Sequence, residues 1–258
     1  GLVYRLKDDV EEISNIRLGY TGRFVDDSFK ATEYNLTVEH ASDFPSLDGF
    51  LLDDYYNRDN LSSGWFKIQK NVDKYTVTKN IHSAYAEATY QFTSRWIVNL
   101  GLKYDYVDIN VDYNVNRGGS EGSNTIRKDY FLPSLNLKYN LNEKHSLRLG
   151  ASKTYTLPQA KEISPYRYVG VNFNSQGNPN LKPSDNYNFD LKWDFNPSPT
   201  ELVSLTAFYK HIKDPISRIE VASAGGYLSY ENISDRAIVA GVEVEIRKNL
   251  FVRPLSSA

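Results

Sequence analysis

The sequence predicts an all-β protein whose strands form an antiparallel meander, part of a transmembrane β-barrel. Two observations predict this fold. Apolar residues alternate with polar ones in repeated segments of about ten residues, the length that a tilted strand needs to cross a bilayer. The connections between the segments are short polar turns at one end and long polar loops at the other, which is the layout of an outer-membrane barrel.

The composition by itself is compatible with two classes of protein. The chain has 258 residues, of which 40% are hydrophobic and 24% charged, with a net charge of −2 and no Cys. These values exclude the basic footprint of a nucleic-acid-binding protein and a disulfide framework, and no uncharged run is apolar enough for a membrane helix. They leave a loop-rich soluble β protein, or a barrel whose membrane signal is too weak for hydropathy to detect.

The alternation is clearest between residues 187 and 195. One face there is apolar and aromatic, and the other is polar or charged; the apolar face consists of Tyr187, Phe189, Leu191, Trp193 and Phe195. A period of two places successive side chains on opposite faces of a strand. The same pattern predicts strands in residues 84–92, 96–104, 131–141, 147–151, 203–209 and 238–246.

The connections fall into two groups by length. Short polar turns are predicted at residues 93–95, 142–145, 196–200 and 248–249, after an acidic turn at Asp8–Glu12. Long loops are predicted at residues 38–75, 114–129, 156–184 and 213–235. A soluble sandwich would also alternate, but its loops are usually short at both ends, and this separation by length favours the membrane barrel.

One strand contains an irregularity. After Tyr104 and Tyr106 the apolar positions change parity and continue as Ile109, Val111 and Tyr113. Two interpretations fit: a β-bulge, or a strand that leaves the membrane and extends into the loop.

Several motifs then point to a family. They are SLRLGASKTYTLP at 146–158, GNPNLKP at 177–183, FYKHIKDPI at 208–216 and GVEVEIR at 241–247. With two upstream strands, they make almost the whole chain resemble the C-terminal part of the barrel of TonB-dependent outer-membrane receptors, particularly those of Bacteroidetes-type bacteria. Many members have an arginine before the proline of the first motif, where this chain has Leu157.

The resemblance implies a Gram-negative outer-membrane protein that imports a ligand actively. Family members close a 22-stranded barrel around a plug, so residues 1–258 are expected to supply about nine or ten strands of a partial barrel, with the plug domain and terminal strands absent. The implied partners are outer-membrane lipid, the TonB system acting through the plug, and a small ligand: a siderophore, vitamin, oligosaccharide or peptide. A surface lipoprotein is a further partner that the resemblance allows.

The polar strand faces are expected to point into the lumen and contact the plug or water, because charges that face lipid at mid-bilayer cost a few kcal/mol each. The predicted lumen-facing, plug-contacting residues are Glu87, Lys103, Asp105, Arg148, Asp190, Lys192, Glu243, Glu245 and Arg247.

The predicted ligand contacts lie in an extracellular loop. Tyr166, Arg167, Tyr168 and Phe173 combine aromatic rings with a cation that could stack on a ligand, or could equally pack the loop. The GNPNLKP motif is interpreted as shaping the loop base, because Gly, Pro and Asn are turn-forming residues.

No catalytic constellation, cofactor or metal site is predicted, and an enzyme is not expected. The adjacent carboxylates at 53–54 are read as part of a solvated loop. Two alternatives stay open: a non-transporting outer-membrane barrel, either an adhesin or a surface protease, and a soluble carbohydrate-binding β protein.

Overall fold

The structure is a computed structural model and describes residues 1–6, 14–39, 57–116, 120–170, 173–222 and 226–249. Strands dominate it. They are β1 (Leu2–Arg5), β2 (Asn15–Val38), β3 (Phe66–Gln91), β4 (Trp96–Val115), β5 (Ser120–Asn140), β6 (His145–Thr156), β7 (Arg167–Tyr168), β8 (Asn174–Gln176), β9 (Ser184–Phe195), β10 (Leu202–Lys213), β11 (Ile216–Val221), β12 (Tyr227–Asn232) and β13 (Arg236–Arg247). Two short helices are α1 (Arg58–Ser62) and α2 (Ala160–Ile163).

Nine strands form one antiparallel sheet in the order β1-β2-β3-β4-β5-β6-β9-β10-β13. This confirms the predicted meander, and each predicted strand segment lies within one of these strands except that 84–92 and 131–141 each extend one residue past the end of β3 and β5. The sheet is not closed among the described residues, so β1 and β13 are its edges. None of the described helices is long and apolar enough to cross a membrane.

The two faces of this sheet differ as the alternation requires. On one face Leu149 on β6 is the register partner of Leu191 on β9, which in turn pairs with Ala207 on β10. Apolar side chains on this face are exposed in the isolated chain, with Phe131 at 62% and Val244 at 66%. An exposed apolar band of this extent is the surface that a barrel turns toward lipid.

The long β4–β5 hairpin shows where the sequence prediction was wrong. The predicted loop at 114–129 is largely strand, because the register runs without interruption from Trp96↔Tyr139 to Val115↔Ser120. An uninterrupted register excludes a bulge, so the change of parity marks the extension of the strand beyond the apolar band. Above Tyr106 the apolar side chains lie on the opposite face, where Val107 and Val111 are fully buried.

The other predicted long loops contain structure of their own. The segment 38–75 includes α1 and the first ten residues of β3, so its end is strand rather than loop. The segment 156–184 contains α2, β7 and β8, and the segment 213–235 contains the β11–β12 hairpin. The predicted acidic turn at 8–12, the carboxylates at 53–54 and the residues after 249 lie outside the described residues.

A second sheet has the order β11-β12-β8-β7. The β10–β13 ladder ends at Lys213↔Arg236, and the β11–β12 ladder begins at Ile216↔Asn232. Between the two ladders, the stretch that returns from β12 to β13 (residues 233–235) therefore has one residue more than the stretch that leads from β10 to β11 (residues 214–215). An extra residue of this kind bends a strand, and here the hairpin passes from the first sheet into the second.

Candidate functional site

A buried cluster lies at the long-loop end of the first sheet, and we call it the mouth cluster. Its buried members are Tyr75, Val77, Ile81, Val107, Ile109, Val111, Tyr130 and Ile163, with Phe29, Tyr155, Tyr166 and Tyr168 packed against them. Strands β3, β4 and β5 contribute most of the wall, while Ile163, Tyr166 and Tyr168 come from the segment that follows β6. Apolar burial at this end therefore attaches that segment to the inner face of the sheet.

Aromatic contacts fix the segment at a defined place. The hydroxyl groups of Tyr75 and Tyr168 are hydrogen-bonded at 2.7 Å. Phe29 on β2 stacks on Tyr75 with ring centroids 5.2 Å apart, and its centroid lies 4.8 Å from that of Tyr166. Burial raises the pKa of Tyr168, and its hydrogen bond to Tyr75 raises it further. Tyr168 is therefore neutral at physiological pH.

A buried carboxylate lies beside the cluster. Asp105 is 1% exposed and accepts hydrogen bonds from the Lys103 ammonium group and the Tyr155 hydroxyl, each at 2.8 Å. Tyr155 also stacks on Tyr130, with ring centroids 3.9 Å apart. An unpaired buried charge would be costly. Both donors reach the same oxygen, Oδ2, and so offset part of this cost, whereas the buried Oδ1 has no hydrogen-bond partner among the described residues.

The predicted ligand residues take two different positions. Tyr166 and Tyr168 pack into the mouth cluster. Arg167 lies with its guanidinium carbon 5.6 Å from the Tyr227 ring centroid, and its buried Nε has no hydrogen-bond partner in the part of the chain that the structure describes. Phe173 is 64% exposed. The arrangement offers a cation held on an aromatic face and a free aromatic ring; ligand contact by these residues stays a prediction.

The motif at 177–183 makes structural contacts, in agreement with its interpretation as a shaping segment. Asn178 donates from its backbone N–H to the carbonyl of Glu162 at 2.6 Å and from its side chain to the carbonyl of Tyr230 at 2.9 Å. The Asn124 side chain on β5 donates to the backbone carbonyl of Pro179 in the motif. The motif thus connects α2, the second sheet and the β4–β5 hairpin.

Asn232 completes this connection at the bend between the sheets. Its side-chain amide donates to the carbonyls of Lys182 at 3.0 Å and Asp214 at 2.8 Å, and its side-chain oxygen accepts from the Lys182 N–H at 2.9 Å. The Ser184 hydroxyl also donates to the Asp214 carbonyl. Asp214 has a φ of 52°, a left-handed conformation that Asp tolerates better than most residues.

The predicted lumen-facing residues are distributed along the polar face of the first sheet. Several form pairs: Lys103 with Asp105 at 2.8 Å, Arg148 with Asp194 at 3.2 Å, Lys192 with Asp194 at 3.5 Å and Arg247 with Glu245 at 3.1 Å. Glu87 accepts from Asn99, while Asp190 and Glu243 are the register partners of Gly150 and Thr206. The fold brings Arg148 and Lys192 together, whereas Glu87 and Arg247 lie on distant strands. Contact of the whole set of lumen-facing residues with a plug stays a prediction.

Sequence reasoning missed most of the mouth cluster. Tyr75, Tyr130 and Tyr155 were not singled out, although the parity change after Tyr106 was the signal that could have found the buried wall. Asn232 was not predicted to have a role, and its bracing of the bend between the sheets has no sequence signal.

Two named relatives share parts of the sequence. The chain is 32% identical over 91 residues to the iron-regulated outer membrane virulence protein of Vibrio cholerae serotype O1, covering 35% of this chain and 14% of that protein. It is 28% identical over 170 residues to the probable TonB-dependent siderophore receptor PirA of Acinetobacter baumannii, covering 62% of this chain and 20% of that protein. The chain thus spans only a small part of the length of these relatives.

Solved structures share the fold. The hemophore receptor HasR of Serratia marcescens, in complex with its hemophore HasA and heme, superposes with a TM-score of 0.52 at 12% identity, covering 90% of this chain and 40% of that one. The copper transporter OprC also gives a TM-score of 0.52 at 12% identity, covering 90% and 35%. At this level of identity the similarity concerns the fold alone.

The family assignment comes from a match over nearly the whole chain. Residues 2–256 match the family model described as TonB dependent receptor-like, beta-barrel. The narrower resemblance to Bacteroidetes-type members stays a prediction. The strand meander, its apolar outer band and its long structured loops agree with the match, and the chain belongs to the TonB-dependent receptors of the Gram-negative outer membrane, of whose β-barrel it forms a part.

Proposed function

We propose that this chain is the wall and extracellular mouth of an active importer. The observation that supports this best is the mouth cluster, which holds the segment after β6 on the inner face of the sheet. In a closed barrel, Arg167 of this segment would lie beside the entrance. A ligand would bind there, and a plug outside residues 1–258 would then be displaced by energy from the TonB system. The barrel strands would supply walls and positioning rather than enzymatic chemistry.

The ligand we propose is an iron-containing small molecule of the siderophore class. The names of the two relatives in sequence refer to iron regulation and siderophores, and a guanidinium group on an aromatic face suits the anionic oxygens that bind iron. Vitamins, oligosaccharides and peptides are the other ligands to compare. No described residue argues for a surface lipoprotein partner.

The test is uptake by cells that carry the full-length gene. A deletion strain should lose uptake of radioactive iron supplied as one or more ferric siderophores, and the intact gene should restore it only where TonB is functional. Arg167→Ala should weaken ligand binding by about 10- to 150-fold, since a hydrogen bond to a charged group contributes about 1.5–3 kcal/mol. Lys70→Ala, at an exposed position on β3, is the matched control.

Iron uptake that is unchanged in the deletion strain would contradict the siderophore assignment, and screening of the other ligand classes would follow. Uptake that does not depend on TonB would contradict active import itself. An adhesin or a surface protease would show neither uptake of iron from siderophores nor dependence on TonB. It would instead be detected by cell attachment or by peptide cleavage.

A further inference from the structure

The apolar band on the outer face of the first sheet ends in two cations at its long-loop edge. Lys213 on β10 and Arg236 on β13 are register partners, one step past the pair of His211 and Ile238 on the same face. Side chains of one strand face recur at every second residue. Both cations therefore stand on the lipid-facing side of the sheet, just beyond its apolar surface.

The length of the apolar run places these cations at the height of the lipid headgroups. On β13 every lipid-facing residue from Ile246 to Ile238 is apolar, and Val242 in the middle is 67% exposed. A run of this length extends about 27 Å along a strand, or about 20 Å across a bilayer at a tilt of about 40°, close to the height of the apolar band of an outer-membrane barrel. Arg236 is the next residue on this face. The long loops of such a barrel are extracellular, so Lys213 and Arg236 meet the outer leaflet.

The nearest acid on this face does not balance the two charges. Asp185 on β9 is the other register partner of Lys213, but its carboxylate pairs with Lys128 at 3.4 Å and with Lys153 at 3.6 Å. Like charges directly opposite each other destabilise an antiparallel pair. An anion bound between Lys213 and Arg236 would replace this repulsion with attraction.

The acids next to the two cations in sequence do not balance them either. Asp214 follows Lys213 and Asp235 precedes Arg236, both at the bend between the sheets. Within the described part of the chain, neither acid forms an ion pair with Lys213 or Arg236. Both cations are exposed, so an anion from the surroundings can reach them.

The height of the two cations distinguishes them from another pair of like charges. Lys30 on β2 and Lys74 on β3 are also register partners on the outer face. They lie six residues past Phe24, which is 64% exposed at the upper end of the apolar band. Six residues extend a strand by about 20 Å, so this second pair stands clear of the headgroups, whereas Lys213 and Arg236 lie beside them.

We propose that Lys213 and Arg236, which we call the interfacial pair, bind a phosphate group of the phosphorylated glycolipid of the outer leaflet, the lipid A part of lipopolysaccharide. Side chains directly opposite in an antiparallel pair have Cβ atoms about 5 Å apart, so both can reach one phosphate. Arg binds phosphate through two parallel charge-assisted hydrogen bonds, and Lys adds a point charge.

The surface below the interfacial pair favours a lipid over free phosphate. Phe189 and Tyr209 are 50% and 40% exposed on the same face, where acyl chains of a lipid held by its phosphate would pack. Free phosphate would use the two charges and leave this apolar surface uncovered. The inference concerns the outer wall of the barrel and is independent of the imported ligand.

Binding of defined lipids to the full-length receptor in detergent tests the proposal, with native mass spectrometry to count bound molecules. Diphosphorylated lipid A should bind the wild type about 30-fold more tightly than dephosphorylated lipid A, because each Lys or Arg near an anionic lipid surface contributes about fivefold. Inorganic phosphate at millimolar concentration should not displace the phosphorylated lipid.

The variant Lys213→Gln/Arg236→Gln should lose this preference for the phosphorylated lipid and bind both lipids equally. Arg236→Gln alone should lose about fivefold in affinity for the phosphorylated lipid. The matched control is Lys30→Gln/Lys74→Gln, which removes a like-charged pair from the same face away from the headgroups and should keep the full preference. All three variants should migrate as folded barrels on unheated gels.

Three results would overturn the proposal. They are an unchanged preference in Lys213→Gln/Arg236→Gln, an equal loss of preference in the Lys30 and Lys74 control, and displacement of the lipid by inorganic phosphate, which would make the site one for free phosphate. Each is distinct from failure of the proposed function, because uptake of the imported ligand is measured separately in cells.

Discussion

Tyr75 on β3 and Tyr168 on β7 are joined by a hydrogen bond between their hydroxyl groups, 2.7 Å long, although they are 93 positions apart in the chain. The bond connects the wall of the sheet to the segment that contains Arg167. Because Tyr168 also packs against Phe29 and Tyr166, the position of Arg167 depends on a buried aromatic contact rather than on the loop backbone alone.

The first prediction concerns this contact. Tyr168→Ala should detach the segment at 157–168 from the wall, because truncation of a half-buried aromatic ring costs about 2 kcal/mol, less than the 3–5 kcal/mol of a fully buried one. Hydrogen exchange of the segment in the purified full-length receptor should then rise at least about tenfold. Tyr168→Phe keeps the ring and should lose only about 1 kcal/mol.

The matched control is Tyr34→Ala on β2, where the side chain is 64% exposed. It should leave exchange of residues 157–168 unchanged. Equal exchange in wild type and Tyr168→Ala would mean that the segment is held without Tyr168, and the role given to the aromatic contact would be wrong.

The second prediction concerns high pH. Burial raises the pKa of Tyr168 above the ordinary tyrosine value of about 10. Below pH 10 the residue is neutral whether the segment is docked or detached, so its stabilisation is fully present there. As the pH rises above 10 the detached form ionises first, and the stabilisation is progressively lost. The tyrosinate absorbance of wild type minus that of Tyr168→Phe should show one tyrosine titrating above pH 10, and a titration at pH 10 would contradict the prediction.

Local alternation predicted the strands because each strand pairs with a neighbour close in sequence. The run from Tyr187 to Phe195 needs only a period of two to show its two faces, and the structure pairs it with β6 and β10 as expected. The same rule failed at 114–129. There the strand leaves the apolar band, its outer face becomes polar, and the buried residues move to the inner face, where the pattern resembles a loop.

The candidate site was harder to predict because it depends on contacts between distant segments. Val107 and Val111 are buried in a cluster that also contains Ile163 of α2 and Tyr168 of β7, and nothing in residues 107–111 specifies those partners. Likewise Asn232 braces Lys182 and Asp214 through amide hydrogen bonds. Any polar turn residue could stand at such a position, so only the tertiary structure reveals its role.

The third prediction concerns Gly177 in the motif at 177–183. A Cβ atom at this position would clash with the backbone carbonyl oxygen of Ser164 and lie 2.6 Å from that of Lys161. Since backbone cannot move as a side-chain end can, Gly177→Ala should separate the motif from α2 and make the segment at 157–177 sensitive to proteases in the full-length receptor. Gly150→Ala is the control, because its nearest atom would be an ordinary 3.6 Å away. Equal resistance of the two variants to proteolysis would contradict the close approach.

The fourth prediction tests which face of the sheet meets lipid. Leu191 lies on the apolar face between Leu149 and Ala207, whereas Asn188 on the same strand lies on the polar face. Leu191→Arg should impair assembly, because an arginine facing lipid near mid-bilayer costs about 2–4 kcal/mol. Asn188→Arg adds the same charge toward the lumen and should assemble nearly as well as wild type.

The measurement for this pair is the fraction of full-length receptor that migrates as a folded barrel on unheated gels. The Leu191→Arg variant should lose most of the folded band, and the Asn188→Arg variant should retain it. The comparison is specific because both variants carry the same new charge on one strand, so a general effect of arginine on expression would reduce the two bands equally. Loss of the folded band in Asn188→Arg alone would reverse the faces assigned to the sheet, and with them the lumenal position of Arg148, Asp190 and Lys192.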